Sequence, residues 1–281
     1  MLNLIFNCSY TSTNVTFMGV KINSVLRFWI FTVLVLYFCT PNISENMNII
    51  FDDLNVDKSF QEILNQIKSF RNGDVAEIMK QKGIQYKMNW GVSVLDLKDI
   101  AQKYSQSHLL ALKLWNKQWR ESMLLATLLD EPKSVTEEQM DFWTKSFENS
   151  EIAEHAVANL WVKSPFAFVK ALEWCRGKKH FVRYSGLQLM GRLAKVEKNA
   201  IDEMFEPFFE VLDPLTKDPQ LFTVFYRSFN LIGSRSVKLN RIALDFVHEL
   251  NENESENAQK LAKNILEELT SDFIRDRLKL P

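Results

Sequence analysis

The chain is poor in the residues that build metal sites, disulfide frameworks and tight turns. Its 281 residues include 3 cysteines, 4 histidines, 8 glycines and 7 prolines. Cys8, Cys39 and Cys175 form no CxxC or Cys/His pattern, which excludes a zinc module and a disulfide framework. His108, His155, His180 and His248 show no ligand spacing, so no metal is expected. There is no phosphate loop, no GxGxxG and no Ser-His-Asp order, and no cofactor is expected. Charge of one sign is not in excess either. A net charge of −1 gives no global pull on nucleic acid, though a basic groove can coexist with an acidic outer face.

What is present is helix. No segment shows the alternation and β-branched density of a strand, whereas apolar residues recur at helical spacing from Leu95 to Leu278. Examples are Leu109, Leu112, Leu114 and Trp115; then Ile152, Ala156, Val157, Leu160 and Trp161; then Phe205, Phe208, Phe209 and Leu212. Helix pairs are expected to begin near Ser107, Val135, Ser164, Ala200 and Arg235. That spacing of about 30 to 40 residues is typical of stacked helical repeats. The predicted fold is all-α, an α-α superhelix: a HEAT-like or ARM-type solenoid of antiparallel helix pairs with a concave binding face.

Local signals set the boundaries. Asp57 or Ser59 caps a helix to Phe70, and Asp74 caps one toward Lys82. Ser107 caps the helix ending near Trp115, and Thr136 with Glu137, Glu138 and Gln139 forms a near capping box. Pro165, Pro207, Pro214 and Pro219 mark helix starts or breaks. Gly73, Gly83 and Gly177 are expected at helix C-caps, and Gly186 and Gly191 allow close packing inside a helix. The last helix is expected over Ala258–Thr270. Trp143, Trp161 and Trp174 sit among apolar neighbours and are expected in the core.

Residues 1–46 differ from the rest, being rich in Asn, Ser, Thr and aromatics with little charge. Val25–Cys39 is apolar, but the run after Arg27 is roughly a dozen residues where a spanning helix wants about 20. A signal h-region, a short membrane anchor, a buried helix and a mispredicted extension upstream of Met47 all stay open. The domain division read here is an extension over 1–46 and a repeat domain over 47–281. The expected location is cytoplasmic, or membrane-anchored or exported if residues 1–46 are genuine.

Several motifs occur in a telling order. Asn89-Trp90-Gly91-Val92-Ser93-Val94-Leu95-Asp96-Leu97 precedes an amphipathic helix. Leu114-Trp115, Arg120-Glu121, Leu128-Leu129-Asp130-Glu131-Pro132-Lys133 and Thr136-Glu137-Glu138-Gln139 follow, and Gly233-Ser234-Arg235-Ser236 comes later. From about Met47 to the C-terminus this resembles the AlkD-like DNA alkylation repair proteins, HEAT-like glycosylases of 3-methyladenine and 7-methylguanine. The resemblance implies a double-stranded DNA partner, alkylated or not, a monomer and no cofactor. It also implies cleavage of the N-glycosidic bond of a cationic base, where a carboxylate stabilises an oxocarbenium-like sugar.

The carry-over onto this chain is uneven. Glu154 stands where the family has its catalytic Asp, and its extra methylene moves the carboxylate by about 1.5 Å. Ser150 stands where the family has a Trp four residues earlier. Arg183 matches the family's phosphate-holding Arg and follows a basic cluster of Lys178, Lys179 and His180 at a helix start. Arg227 is the nearest counterpart of a second family Trp, and Arg235 lies in the last motif. Beside these readings stand plainer ones. Glu151 and Glu154 are also ordinary first-turn acids, and Lys178–His180 is also a solvated basic loop. Three functions therefore compete: an alkylpurine glycosylase, a catalytically inactive DNA-binding relative, and a protein-interaction scaffold.

Overall fold

The computed structural model describes residues 16–17, 20–21 and 53–280. Contacts divide the chain into two units, Met1–Asp53 and Leu54–Pro281. The described part of the first is a short antiparallel ladder of β1 (Thr16–Phe17) and β2 (Val20–Lys21). Such a pairing is too short for an alternation pattern to mark it. The apolar run Val25–Cys39, with Cys8 and Cys39, lies outside the described residues. Among the described residues no helix is long and apolar enough to cross a membrane.

The second unit is all helix. Its elements are α1 (Leu54–Ser69), α2 (Gly73–Gln81), α3 (Val94–Ala101), α4 (His108–Asn116), α5 (Arg120–Leu129), α6 (Glu137–Lys145) and α7 (Ser150–Asn159). They continue with α8 (Ala167–Cys175), α9 (His180–Val196), α10 (Glu206–Thr216), α11 (Phe222–Gly233), α12 (Val237–Asn251), α13 (Glu256–Leu269) and α14 (Asp272–Leu278). Helices α3, α5, α7, α9, α11 and α13 pack in succession as one row, and α8, α10 and α12 form part of a second. Hairpins such as α4/α5, α8/α9 and α12/α13 tie the rows together. This is the α-α superhelical stack, and the pairs begin where the sequence places them.

An apolar seam between the rows holds the stack. Trp115 and Trp143 lie face to face, with centroids 3.9 Å apart and planes at 2°. Trp143 meets Trp161 at 5.5 Å, and Trp161 meets Trp174 at 6.5 Å. Each such pair adds roughly 0.5–1.5 kcal/mol beyond its burial. All four indoles are buried, so the core reading of Trp143, Trp161 and Trp174 holds. Gly186 and Gly191 explain how closely α9 sits. A Cβ on Gly186 would come 2.7 Å from the Cys175 backbone nitrogen, and one on Gly191 would come 2.6 Å from Ser228 Cα. The close contact at Gly191 brings α9 against α11.

Several boundaries differ from expectation. Gly73 starts α2 rather than ending a helix, because Asn72 accepts from Val75 N and displaces Asp74 as the cap. The first helix begins earlier than Asp57, which lies in its first turn. Pro214 lies inside α10, in its last turn, where the missing N–H removes one ladder bond at a fraying end. A further helix, α14, follows α13 because Ser271 caps it by accepting from Ile274 N.

Candidate nucleic-acid interface

Helix α7 starts because Asn149 accepts from Ile152 N at 3.2 Å. One turn on, Glu154 faces the neighbouring helices of its row. Tyr184 of α9 donates its phenol to Glu154 Oε1 at 2.5 Å. Arg227 of α11 donates from Nη2 to the same oxygen at 3.1 Å. Glu154 is 39% exposed and Arg227 51%, while Tyr184 is buried. Burial, with the Glu154 carboxylate beside it, pushes the Tyr184 phenol well above its ordinary range, so it stays a donor. Two positions singled out in the sequence, Glu154 and Arg227, thus meet. Tyr184, which sequence reasoning did not single out, completes the cluster. The arrangement is a carboxylate already engaged by one cation and one neutral donor. Ser150, four residues before Glu154, is exposed at the first position of α7 and supplies no aromatic wall.

Arg183 lies near the start of α9, and its Nη2 pairs with Asp218 Oδ2 at 2.9 Å. Its Nε is buried without a partner among the described residues. Asp218 also caps the turn Pro219–Leu221, accepting from Gln220 N at 3.0 Å. Lys178 and Lys179 are exposed just before α9, and Lys179 Nζ donates to the Lys145 carbonyl at 3.2 Å. His180 opens the helix. Burial holds its imidazole below the usual range, with Arg183 acting in the same direction and Asp218 opposing. Lys178, Lys179, His180 and Arg183 are therefore gathered at one helix end.

Arg235 has a different task. Its guanidinium donates to the carbonyls of Ala194 at 2.9 Å, Glu197 at 2.7 Å and Ala200 at 2.6 Å. It also lies over the Phe205 ring at 4.6 Å. It clamps the C-terminal end of α9, where a cation suits the helix dipole and the otherwise unbonded carbonyls.

Sequence reasoning missed a buried network beside the cluster. Arg120 grips Glu151 with Nε at 2.9 Å and Nη2 at 2.7 Å, and Tyr86 donates to Glu151 at 2.7 Å. Glu121, fully buried, accepts from Trp90 N at 3.1 Å and Val92 N at 3.2 Å. Arg120 Nη1 adds a bond to the Val92 carbonyl at 2.8 Å. Burial would raise the Glu151 carboxyl, but the hydrogen bonds and charge of Arg120 outweigh it and the net shift is downward. Glu151 is thus more than a first-turn acid. The network ties the segment carrying Asn89-Trp90-Gly91 to α5 and α7. Adjacent charges opening the apolar helix α5 are the signal that could have revealed it. Trp90 packs edge-on to Trp119, with centroids 5.3 Å apart. Among the described residues no group of acidic, histidine or cysteine side chains could hold a metal ion.

Comparison with known proteins bears on this geometry. The family model described as DNA alkylation repair enzyme matches residues 63–224, more than half of the chain. No curated protein is significantly similar to it. A solved structure, from work on a new family of proteins related to the HEAT-like repeat DNA glycosylases with affinity for branched DNA structures, superposes with a TM-score of 0.60 at 17% identity. The match covers 78% of this chain and 95% of the other. At that identity the likeness establishes the HEAT-like helical fold.

Proposed function

The chain belongs to the DNA alkylation repair enzyme family, and on that premise we propose that it binds DNA along the α7–α9–α11 row without cutting the glycosidic bond. The observation that carries this reading is the ion pair between Glu154 and Arg227. An oxocarbenium-like sugar is stabilised by a carboxylate whose charge is available to it. Here a guanidinium and a phenol already engage that charge, and Ser150 leaves the neighbouring wall bare. Arg183, Lys178, Lys179 and His180 are the proposed phosphate contacts, and Arg227 is held back from that role by Glu154. The partner is double-stranded DNA bound by a monomer.

Hydrolysis of an alkylated purine is the second reading. It is favoured by the partial exposure of Glu154, which leaves the carboxylate reachable from solvent. One experiment separates the two: methylated duplex DNA is incubated with the protein, and bound DNA and released 7-methylguanine are both measured. Binding with no release supports the first reading. Release at a steady turnover transfers the assignment to the second. Failure to bind any DNA leaves the scaffold reading.

A further inference from the structure

A cleft of 430 Å³ lies between the C-terminal end of α6 and the start of α9, beside the Glu154 cluster, whose Tyr184 ring is 6.2 Å from Phe181 and 6.3 Å from His180. Its walls include Phe147, Phe181 and His180, with Lys145 and Lys179 also lining it. Thr144 belongs to the same lining and is fully buried, yet its hydroxyl has no hydrogen-bond partner among the described residues. His180 Nδ1 is likewise buried and unpartnered among them. A buried polar atom left unpaired costs roughly 1–3 kcal/mol, so two in one cleft point to a ligand that supplies the bonds.

We infer that this cleft takes an unpaired nucleobase of DNA, its flanking phosphate held by the lysines. The inference rests on the DNA-binding reading above. Three features argue for this ligand class. The volume falls in the range of roughly 300–1,000 Å³ usual for small-molecule sites. His180 and Phe181 sit edge to face at 4.8 Å beside the cleft, an aromatic wall on which any base can stack. The Thr144 hydroxyl and His180 Nδ1 offer a base edge one group that donates or accepts and one whose role follows the tautomer. Charge is complementary on the phosphate side. Lys179 donates to the Lys145 carbonyl, which holds its ammonium group at the cleft, while the exposed Lys145 ammonium pairs with Asp141 at 3.3 Å and can exchange that acid for a phosphate. Glu148 is the one acid in the lining, and a base presenting an exocyclic amine suits it.

The test uses the full chain with three DNAs of one sequence: a plain duplex, a duplex with one unpaired 2-aminopurine, and a duplex carrying a single-stranded flap with 2-aminopurine at its foot. Binding to the unpaired forms should be tighter than to the duplex by roughly tenfold, the scale of one base–aromatic stack. The probe's fluorescence should be quenched. Phe181→Leu keeps an apolar side chain and should abolish the preference and the quench while duplex binding persists. Thr144→Val removes only the unpartnered hydroxyl, so it should leave the melting temperature unchanged or raised and weaken the unpaired forms severalfold. Equal affinity for all three DNAs, or a preference unmoved in both variants, overturns the cleft assignment and leaves DNA binding standing. Binding of free dAMP as tight as the flap overturns a DNA strand as the source. Absence of binding to every DNA overturns the underlying reading, and the cleft assignment with it.

Discussion

Arg227 donates to Glu154 at 3.1 Å across 73 positions of chain. The pair puts a cation from α11 on the carboxylate that the family resemblance marks for chemistry. An exposed ion pair contributes little to stability, about 0–1 kcal/mol. Its consequence lies in what each partner can do for a polyanion. Glu154 repels phosphate and holds the one guanidinium of α11 that could receive it.

Glu154→Gln should therefore strengthen duplex binding severalfold, with the salt dependence steeper by up to about one unit as Arg227 becomes free for a phosphate. Glutamine preserves size and still accepts from Tyr184. Fluorescence anisotropy across a salt series reads both quantities. Weaker binding by Glu154→Gln would count against the counter-ion role. If the protein does release 7-methylguanine, the same substitution should lower release by on the order of a hundredfold.

Arg183→Ala should weaken duplex binding and make its salt dependence shallower by about 0.9. Asp218→Asn tests the same contact from the other side: removing the acid paired at 2.9 Å frees the guanidinium, so affinity should rise. Unchanged affinity and slope in a folded Arg183→Ala protein would remove that helix end from the interface.

Much of the fold is legible in the sequence because helix pairing is local. Ser107 and Thr136 cap their helices through their own nearby amides, and the tryptophans follow helical spacing into the seam. The site is less legible because its partners are distant in sequence. Tyr184 reaches Glu154 over 30 positions and Arg120 reaches Glu151 over 31. No local pattern says which acid meets which base. Gly191 carries part of the answer, since its missing side chain sets the approach of α9 to α11, but its partner Ser228 is equally remote. Arg235 shows the converse: a cation inside a matching motif has its donors on carbonyls at a helix end.

The pair of His108 and Asp130 should make stability depend on pH. Its nitrogen Nδ1 lies 2.7 Å from Asp130, which is buried and also bonded by Gln139 at 2.6 Å. The hydrogen bond to Asp130 holds the imidazole above its usual value, against the opposing effect of burial. A raised folded-state value means the contribution is complete below about 6.5. It is then lost as pH rises through the folded value. The melting temperature should fall across that interval, and His108→Gln should flatten the fall. An unchanged profile in His108→Gln would assign the pH dependence to another group.

The Arg120–Glu151 pair sets the opposite limb. Both side chains are largely out of water, at 4% and 15% exposure, and Arg120 Nη1 also pairs with the fully buried Glu121 at 3.1 Å, so one guanidinium serves two carboxylates. Arg120→Met leaves both carboxylates without their cation and should cost about 3–5 kcal/mol in urea unfolding, the scale for breaking a buried pair, while Glu151→Gln, which leaves Arg120 paired with Glu121, should cost less. Arg120→Met combined with Glu151→Leu should recover only part of that loss, because Glu121 stays buried without its cation. The Glu151 carboxyl lies below its ordinary value, so its contribution is present above about 4.3. It is lost as pH falls through the lower folded value. Acid unfolding of the wild type should accordingly steepen below that point, and the double variant should lack that component. The same variants test whether the network also serves binding. It holds Trp90 and Val92 through Glu121, so a folded double variant with weakened DNA affinity would assign the Asn89–Val92 segment to the interface. Retained affinity would confine the network to folding.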